Sequence, residues 1–325
     1  MFLKKRYFVA LAAVVAGFAS GAGAQTPYPV KPVRVIVAFA AGGFADRTAR
    51  LVGQKLGERL GQPFVMDNRG GAGGNIAARN VVEATPDGYT LLVHTAALSI
   101  NVSLYKDIGF DLEKDLVPVA MTGSAPGLFT VSAGHPANNL RDLIQLAKVQ
   151  GKPLAYATAG VGTSSHLAAE YLFNTLAGVP ANHIPFKGGA PATTAVLGGQ
   201  VELLSASLGG ALAFVKQGKM KALAVSSLTR IDDLPNVPTV SESGFPGFEE
   251  RSWVAFFAPA KTPSSIVSRL NEEINRILVN PEVKSTLVSQ GTEVTALSQQ
   301  DFAAKLASEI ALWRKIVNIT GAKPE

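Results

Sequence analysis

Short apolar runs alternate with stretches of helical period along most of this chain. Val33–Phe39 is β-branched and apolar, which predicts a buried strand. After the turn Ala40-Ala41-Gly42-Gly43, the residues Ala49, Val52, Leu56 and Leu60 recur on one helical face, and Gly61 marks the stop. Phe64–Met66 predicts a second strand. The loop Asn68–Gly74, a helix over Asn75–Ala84, the turn Pro86-Asp87-Gly88 and a third strand at Tyr89–His94 follow. Further strands are expected over Val117–Thr122, Gly127–Ser132, Pro153–Thr158, His183–Phe186, Val201–Ser205, Lys221–Ser226 and Trp253–Ala258. Helices are expected over Leu140–Gln150, Ser164–Ala177, Ala190–Leu197 and Gly210–Gln217.

Two helices close the chain. Thr262-Pro263 opens the first with a hydroxyl cap and a proline at the first position; its face is Ile266, Leu270, Ile274 and Ile277, and Asn280-Pro281 ends it. The second runs from about Ser298 to Ile319, with Phe302, Leu306, Ile310, Trp313 and Val317 inward. Ser298 and Asp301 resemble a capping box. Strands alternating with helices imply an α/β fold with mainly parallel sheets covered on both faces. The length favours two domains, and no repeat or Pro/Ser linker separates them. The lobes are therefore expected to be joined by short crossings, at Met121–Gly127 and Val225–Asp232.

The first residues change the picture of where the protein works. Lys4, Lys5 and Arg6 precede an apolar stretch, Tyr7–Ala19, and the small residues Ala22-Gly23-Ala24. This is the pattern of a cleaved export signal, residues 1–24, leaving a mature chain from Gln25. The apolar run is short for a membrane span. Removing the three cations lowers the net charge of +6 to +3. That mildly favours anionic partners and, with no Lys/Arg stripe interleaved with aromatics, argues against nucleic acid. With no cysteine, thiolate catalysis, disulfides, Cys-ligated metals and a lipid-carrying terminus are excluded.

Two glycine-rich strand-to-helix turns carry the candidate chemistry: Phe39–Asp46 and Tyr156–His166. Each lets backbone approach a ligand closely, and each opens a helix whose free N–H groups suit an anion. In open α/β sheets such turns lie at the carboxyl ends of strands, where ligands bind. Gly160-x-Gly162-x-x-Ser165 departs from a dinucleotide fingerprint: the third glycine is missing, and no acidic residue closes the next strand, His183–Phe186. No G-x-S-x-G elbow is present, and His94, His135, His166 and His183 form no i, i+4 metal pair. His166 beside Ser164 and Ser165 leaves two readings, a hydrolase's Ser–His pair or a helix-start histidine that props the turn.

In order along the mature chain stand Tyr28-Pro29-x-Lys31-Pro32-x-Arg34, Ala38–Gly43 with Asp46, Asn68-Arg69-x-Gly71-Ala72-Gly73-Gly74-Asn75, Pro86-Asp87-Gly88-Tyr89-Thr90-Leu91, Tyr156–His166, Pro185-Phe186-Lys187-Gly188, Leu234-Pro235-x-Val237-Pro238-Thr239 and Gly244–Phe248. With these motifs the chain resembles the Bug family, the periplasmic receptors of tripartite tricarboxylate transporters. The resemblance implies a type II periplasmic-binding-protein fold, two lobes hinged around a small organic carboxylate, no cofactor or metal, no catalysis, and membrane subunits of such a transporter as partners. A periplasmic monomer is expected. A sensor that reports ligand occupancy to a signalling protein stays open as an alternative.

The expected lobes are Gln25–Thr122 plus Thr229–Glu325, and Gly123–Leu228. Ligand contacts are expected from Ala40, Ala41, Gly42, Gly43 and Asp46; from Ala159, Gly160, Gly162, Thr163, Ser164 and Ser165; from Lys187, Gly188 and Gly189; and from Ser205, Ala206 and Ser207. Lys187 reads either as a ligand partner or as a solvated lysine, and Trp253 as core or as a ligand platform. Ala40-Ala41 stand where the family carries paired prolines, Ala45 where a Thr is common, and Ala206 where many members carry Asp. Without that Asp an ammonium group lacks an acceptor. The small residues imply a roomier pocket, so a larger or aromatic carboxylate is expected over an amino acid.

Overall fold

The structure is a computed structural model that describes residues 28–324; the expected export signal lies outside them. Its elements are β1 (Val33–Val37), α1 (Phe44–Leu60), β2 (Phe64–Asn68), α2 (Asn75–Val82), β3 (Thr90–Thr95), α3 (Ala97–Leu104), α4 (Leu112–Asp115) and β4 (Leu116–Ser132). There follow α5 (Leu140–Gln150), β5 (Leu154–Thr158), α6 (Ser164–Glu170), which continues as a π turn over Tyr171–Leu176, β6 (Ala181–Pro185), α7 (Gly189–Leu197), β7 (Leu203–Ser207), α8 (Leu208–Lys216) and β8 (Met220–Val225). The chain ends with β9 (Arg251–Pro259), α9 (Ser264–Leu278), α10 (Pro281–Ser289), β10 (Glu293–Val294) and α11 (Gln299–Thr320).

The strands form one mixed sheet in the order β2-β1-β3-β9-β4-β7-β5-β6, with β8 and β10 also on β4. It is parallel at both flanks, β2-β1-β3 and β7-β5-β6, and antiparallel where β4 and β9 cross between the lobes. The inner strands of the flanks are buried on both faces, with Val33, Val35, Ile36 and Val37 in β1 and Leu91, Leu92 and Val93 in β3, while the edge strands β2 and β6 are partly exposed.

β4 is the main crossing. Its first part pairs with β9 through Pro126↔Arg251, and from Gly127 it pairs with β7 and β8. The two expected strands, Val117–Thr122 and Gly127–Ser132, are thus one, and the Met121–Gly127 crossing is strand rather than loop. Gly123, Pro126 and Gly127 imitate a turn in the sequence. The glycines are there because backbone and side chain come close: Glu293 O fills the place of a Cβ on Gly123, and the Glu250 carboxyl that on Gly127.

One hydrophobic cluster serves the first lobe, from Val33 through Phe302 and Ile310. Two serve the faces of the second: Phe129 and Val131 with Leu140, Tyr156 and Phe173, and Leu128 with Leu204, Val225 and Leu212. Val240 and Phe248 belong to the former and Leu234 to the latter, so the chain after β8 packs on the second lobe before β9 returns. A fourth cluster straddles the lobes, with Ile100 and Leu104 of α3, Trp313 and Val317 of α11, and Leu167 of α6. Trp253 is core, packed against Phe257 and Phe302.

Three helices were not expected: α3, the single turn α4, in which Asp111 caps the Glu113 N–H, and α10. α3 is buried on nearly every side and shows no amphipathic period. In α10, Asn280 caps the N–H groups of Glu282 and Val283, and Pro281 takes the first position, so the pair that ends one helix also starts another. Ser298 caps α11 through the Asp301 N–H at 3.1 Å, as expected. Thr262 does not cap α9, which begins after Pro263 without a side-chain cap.

Candidate functional site

Four helices begin at the cleft between the lobes. α1 starts behind Gly43, α6 behind Thr163, α7 behind Gly188 and α8 behind Ser207. Their first residues line a cavity of about 40 Å³: Gly43, Phe44 and Ala45; Thr163, Ser164 and Ser165; Gly189; Ser207 and Gly210. Phe39, Thr95, Ala159, Ala206 and Ser252 complete the wall. No Lys, Arg, Asp or Glu is among the lining residues. The field inside comes from unpaired helix-start N–H groups and hydroxyls, an environment that favours an anion.

Hydrogen bonds within the turns decide which N–H groups remain for a ligand. Gly160 N–H donates to Thr158 Oγ1 at 3.1 Å, and Gly162 N–H donates to His166 Nδ1 at 3.3 Å. The Thr163 hydroxyl donates to Gly160 O at 2.8 Å and accepts from His166 N–H. The turn is thus self-braced, and the helix starts at Ser164 and Ser165 face the cavity. In the first turn, Gly42 N–H donates to the Asp46 carboxylate at 2.8 Å, and Ala40 N–H donates across the cleft to Lys187 O at 2.8 Å. Asp46 also accepts from Arg50 and Asn68. Burial pushes its carboxyl up, but these hydrogen bonds outweigh that and hold it below the usual carboxylate range.

Of the expected residues, Gly43, Ala159, Thr163, Ser164, Ser165, Gly189, Ala206 and Ser207 line the cavity. Ala40, Ala41, Gly42, Asp46, Gly160, Gly162, Lys187, Gly188 and Ser205 lie around it without lining it. Lys187 is exposed and contributes its carbonyl. The Ser205 hydroxyl donates to Ser165 O at 2.9 Å, supporting the second turn from behind. With small side chains at 40–41 and 188–189 the two turns approach backbone to backbone, and a Cβ on Gly188 would meet Ala40 N at 2.8 Å.

Two more contacts shut the cleft. The Arg47 guanidinium donates to Gly42 O on its own turn and to Gly209 O at the start of α8. Asn101 of α3 abuts Gly162, whose φ of +77° no β-carbon-bearing residue adopts readily. The Asn101 amide donates to Gly73 O and Asn75 Oδ1, both at 3.0 Å.

The histidine chemistry is structural in geometry. His166 stacks on His183 with centroids 4.0 Å apart, and His183 stacks in turn on Tyr156. Burial holds His166 down to about 4; burial and then the neighbouring His166 hold His183 down to about 3. His166 Nδ1 is occupied by the Gly162 N–H. Ser165 Oγ lies 3.2 Å from Thr163 Oγ1, and the Ser164 hydroxyl bonds the Glu250 carboxyl. No Ser–His hydrogen bond occurs among the described residues.

Phe39, Phe44 and Ala45 fall in the first candidate turn without being named as ligand contacts, and sequence reasoning missed Thr95, Gly210, Ser252, Arg47, Asn101 and Glu250. Thr95 had a signal, since it closes a parallel strand at its carboxyl end. Arg47 and Glu250 had none, because only the tertiary fold brings them to the cleft.

Residues 48–322 match the family model described as the tripartite tricarboxylate transporter family receptor. The chain belongs to this family. The receptor is 35% identical over 320 residues to protein BugT of Bordetella pertussis, covering 96% of this chain and 98% of that one. Its fold is similar to that of the periplasmic binding protein BugD, with a TM-score of 0.88 and 34% identity over 92% of this chain and all of the other. An R. palustris protein solved with adipate gives the same TM-score, identity and coverage. The receptor is thus a solute-binding protein of a transporter family, with two α/β lobes around a cleft. No helix among its described residues is long and apolar enough to cross a membrane.

Proposed function

We propose that the receptor captures a small organic dicarboxylate in the cleft and delivers it, chemically unchanged, to the membrane subunits of a tripartite transporter. The observation that carries this reading is the convergence of four helix starts on one cavity with no charged side chain in its lining. One carboxylate would be met by the N–H groups and hydroxyls of Ser164, Ser165 and Ser207, and the other by the helix starts behind Gly43 and Gly188. Charge-assisted hydrogen bonds of this type contribute about 1.5–3 kcal/mol each, so a few of them give micromolar binding or better. A cavity of about 40 Å³ holds only a few waters. The ligand therefore enters an opened cleft and is enclosed as the lobes close on it. Adipate in a similar protein supports this ligand class.

We assign residues up to 126 and from 251 to the first lobe, and 127–250 to the second, because Leu234, Val240 and Phe248 pack with the second lobe's clusters. The mature protein begins at Gln25, in the periplasm, as a monomer without catalytic activity. A thermal-shift and calorimetric screen of adipate, malate and benzoate tests the reading. An acid at 100 times its Kd adds about 2.7 kcal/mol of stability. No shift with any acid, or turnover of a bound one, refutes it.

A further inference from the structure

A buried carboxyl sits directly behind the cavity wall, at the hinge. Glu250 is 7% exposed and just precedes β9. Its side chain reaches the Ser164 hydroxyl at the start of α6 and Ser226 Oγ, at 3.1 Å, where the chain leaves β8. Ser226 has one proton to give. Its oxygen accepts from Gly127 N–H at 2.6 Å and lies 2.6 Å from the Glu250 carbonyl, the shorter of its two contacts to that residue. With that proton on the carbonyl, the proton between carboxyl and Ser164 comes from one of those two groups alone. If Glu250 is ionised, Ser164 donates to it and shows the cavity only lone pairs, which repel a carboxylate oxygen. If Glu250 is neutral, it donates to Ser164, and the hydroxyl proton turns to the ligand.

We propose that Glu250 is a positioning residue that sets the donor state of Ser164, so that a carboxylate binding at Ser164 draws one proton onto Glu250. This deepens the function proposed above and rests on it. Burial, the largest influence, raises the Glu250 carboxyl above the ordinary range. The other ionisable groups around it are accounted for. Arg251 on its own strand is paired with Glu293; its charge and the Gly127 N–H pull the Glu250 carboxyl down, by less than burial pushes it up, and Glu249 is exposed. On α6, His166 is held neutral well above its value of about 4. On α11, Glu309 accepts from the Trp313 ring nitrogen at 3.0 Å.

The test is calorimetry with adipate, malate and benzoate from pH 6 to 9. For each acid that binds, wild-type affinity falls towards tenfold per pH unit at the alkaline end. Binding heats at about pH 8.5 differ between triethanolamine and Tris, two cationic buffers of unequal ionisation heat, by the uptake of close to one proton. Glu250→Gln binds with a flat pH profile and more tightly than wild type at pH 9. A flat profile in wild type, or the same slope in Glu250→Gln, overturns the proposal. If the variant does not fold, the wild-type buffer comparison decides alone, and zero proton uptake overturns it. If none of the three acids binds at any pH, the carboxylate function itself fails.

Discussion

Gly162→Ala is the sharpest probe of cleft closure. A methyl group there meets Asn101 Oδ1 well inside contact distance and Leu104 Cδ2 at 3.0 Å. The positive φ adds about 1 kcal/mol of strain, but in the open and closed forms alike. The clash exists only when α3 abuts the second turn. Relieving it moves Asn101 away from Gly73 O and Asn75 Oδ1. Two neutral hydrogen bonds at about 1 kcal/mol each put the penalty on the closed form near 2 kcal/mol, a roughly 30-fold loss of affinity. Calorimetry with adipate reads the affinity, and small-angle scattering reads the shape. Asn101→Ala in the same chain makes room for the methyl and restores most of the loss, a non-additivity expected of touching residues. A Kd within twofold of wild type, or no recovery in the double variant, refutes the reasoning.

Arg47→Met removes the guanidinium that ties α1 to Gly209 O; adipate affinity falls about tenfold or more by calorimetry, while the melting temperature shifts little. Trp313→Ala empties the cluster shared by both lobes; a loss of about 3 kcal/mol lowers the melting temperature by roughly 5 °C in a chain of this length. Stability also depends on pH through the buried histidines. Burial lowers His94 and His166 to about 4 from the ordinary 6.5, so between those values the unfolded chain binds more protons. Stability is full above pH 6.5 and falls as pH drops towards 4, by up to about 1.4 kcal/mol per unit for each. Denaturant midpoints at pH 7 and 5 measure this; His94→Gln flattens the slope, and equal midpoints in wild type contradict it.

Many of the strands, helices and turns were legible because local chemistry dictates them. The apolar run at Val33–Val37 can only be a covered strand, Gly61 stops α1 in a left-handed conformation, and Ser298 caps α11. Helix starts with glycine and hydroxyls announced the second turn, and Thr163, Ser164 and Ser165 line the cavity. What was illegible depends on partners distant in sequence. α3 has no polar face because α11 and the second lobe cover it. The glycines of β4 read as a turn because nothing local reveals that Glu250 and Glu293 occupy the missing Cβ positions. The close approach of the Gly188 turn to Ala40 was illegible for a related reason, since the two are far apart in sequence.

The most direct measurement is a crystal structure of the receptor with adipate in the closed cleft. One carboxylate is expected about 3 Å from the N–H groups of Ser164 and Ser165, the other at the helix start behind Gly43, with no side-chain cation on either. A solute seated instead in the apolar groove between Tyr171, Phe248 and Trp313, or neutralised by Lys187 or Arg47, would contradict this placement.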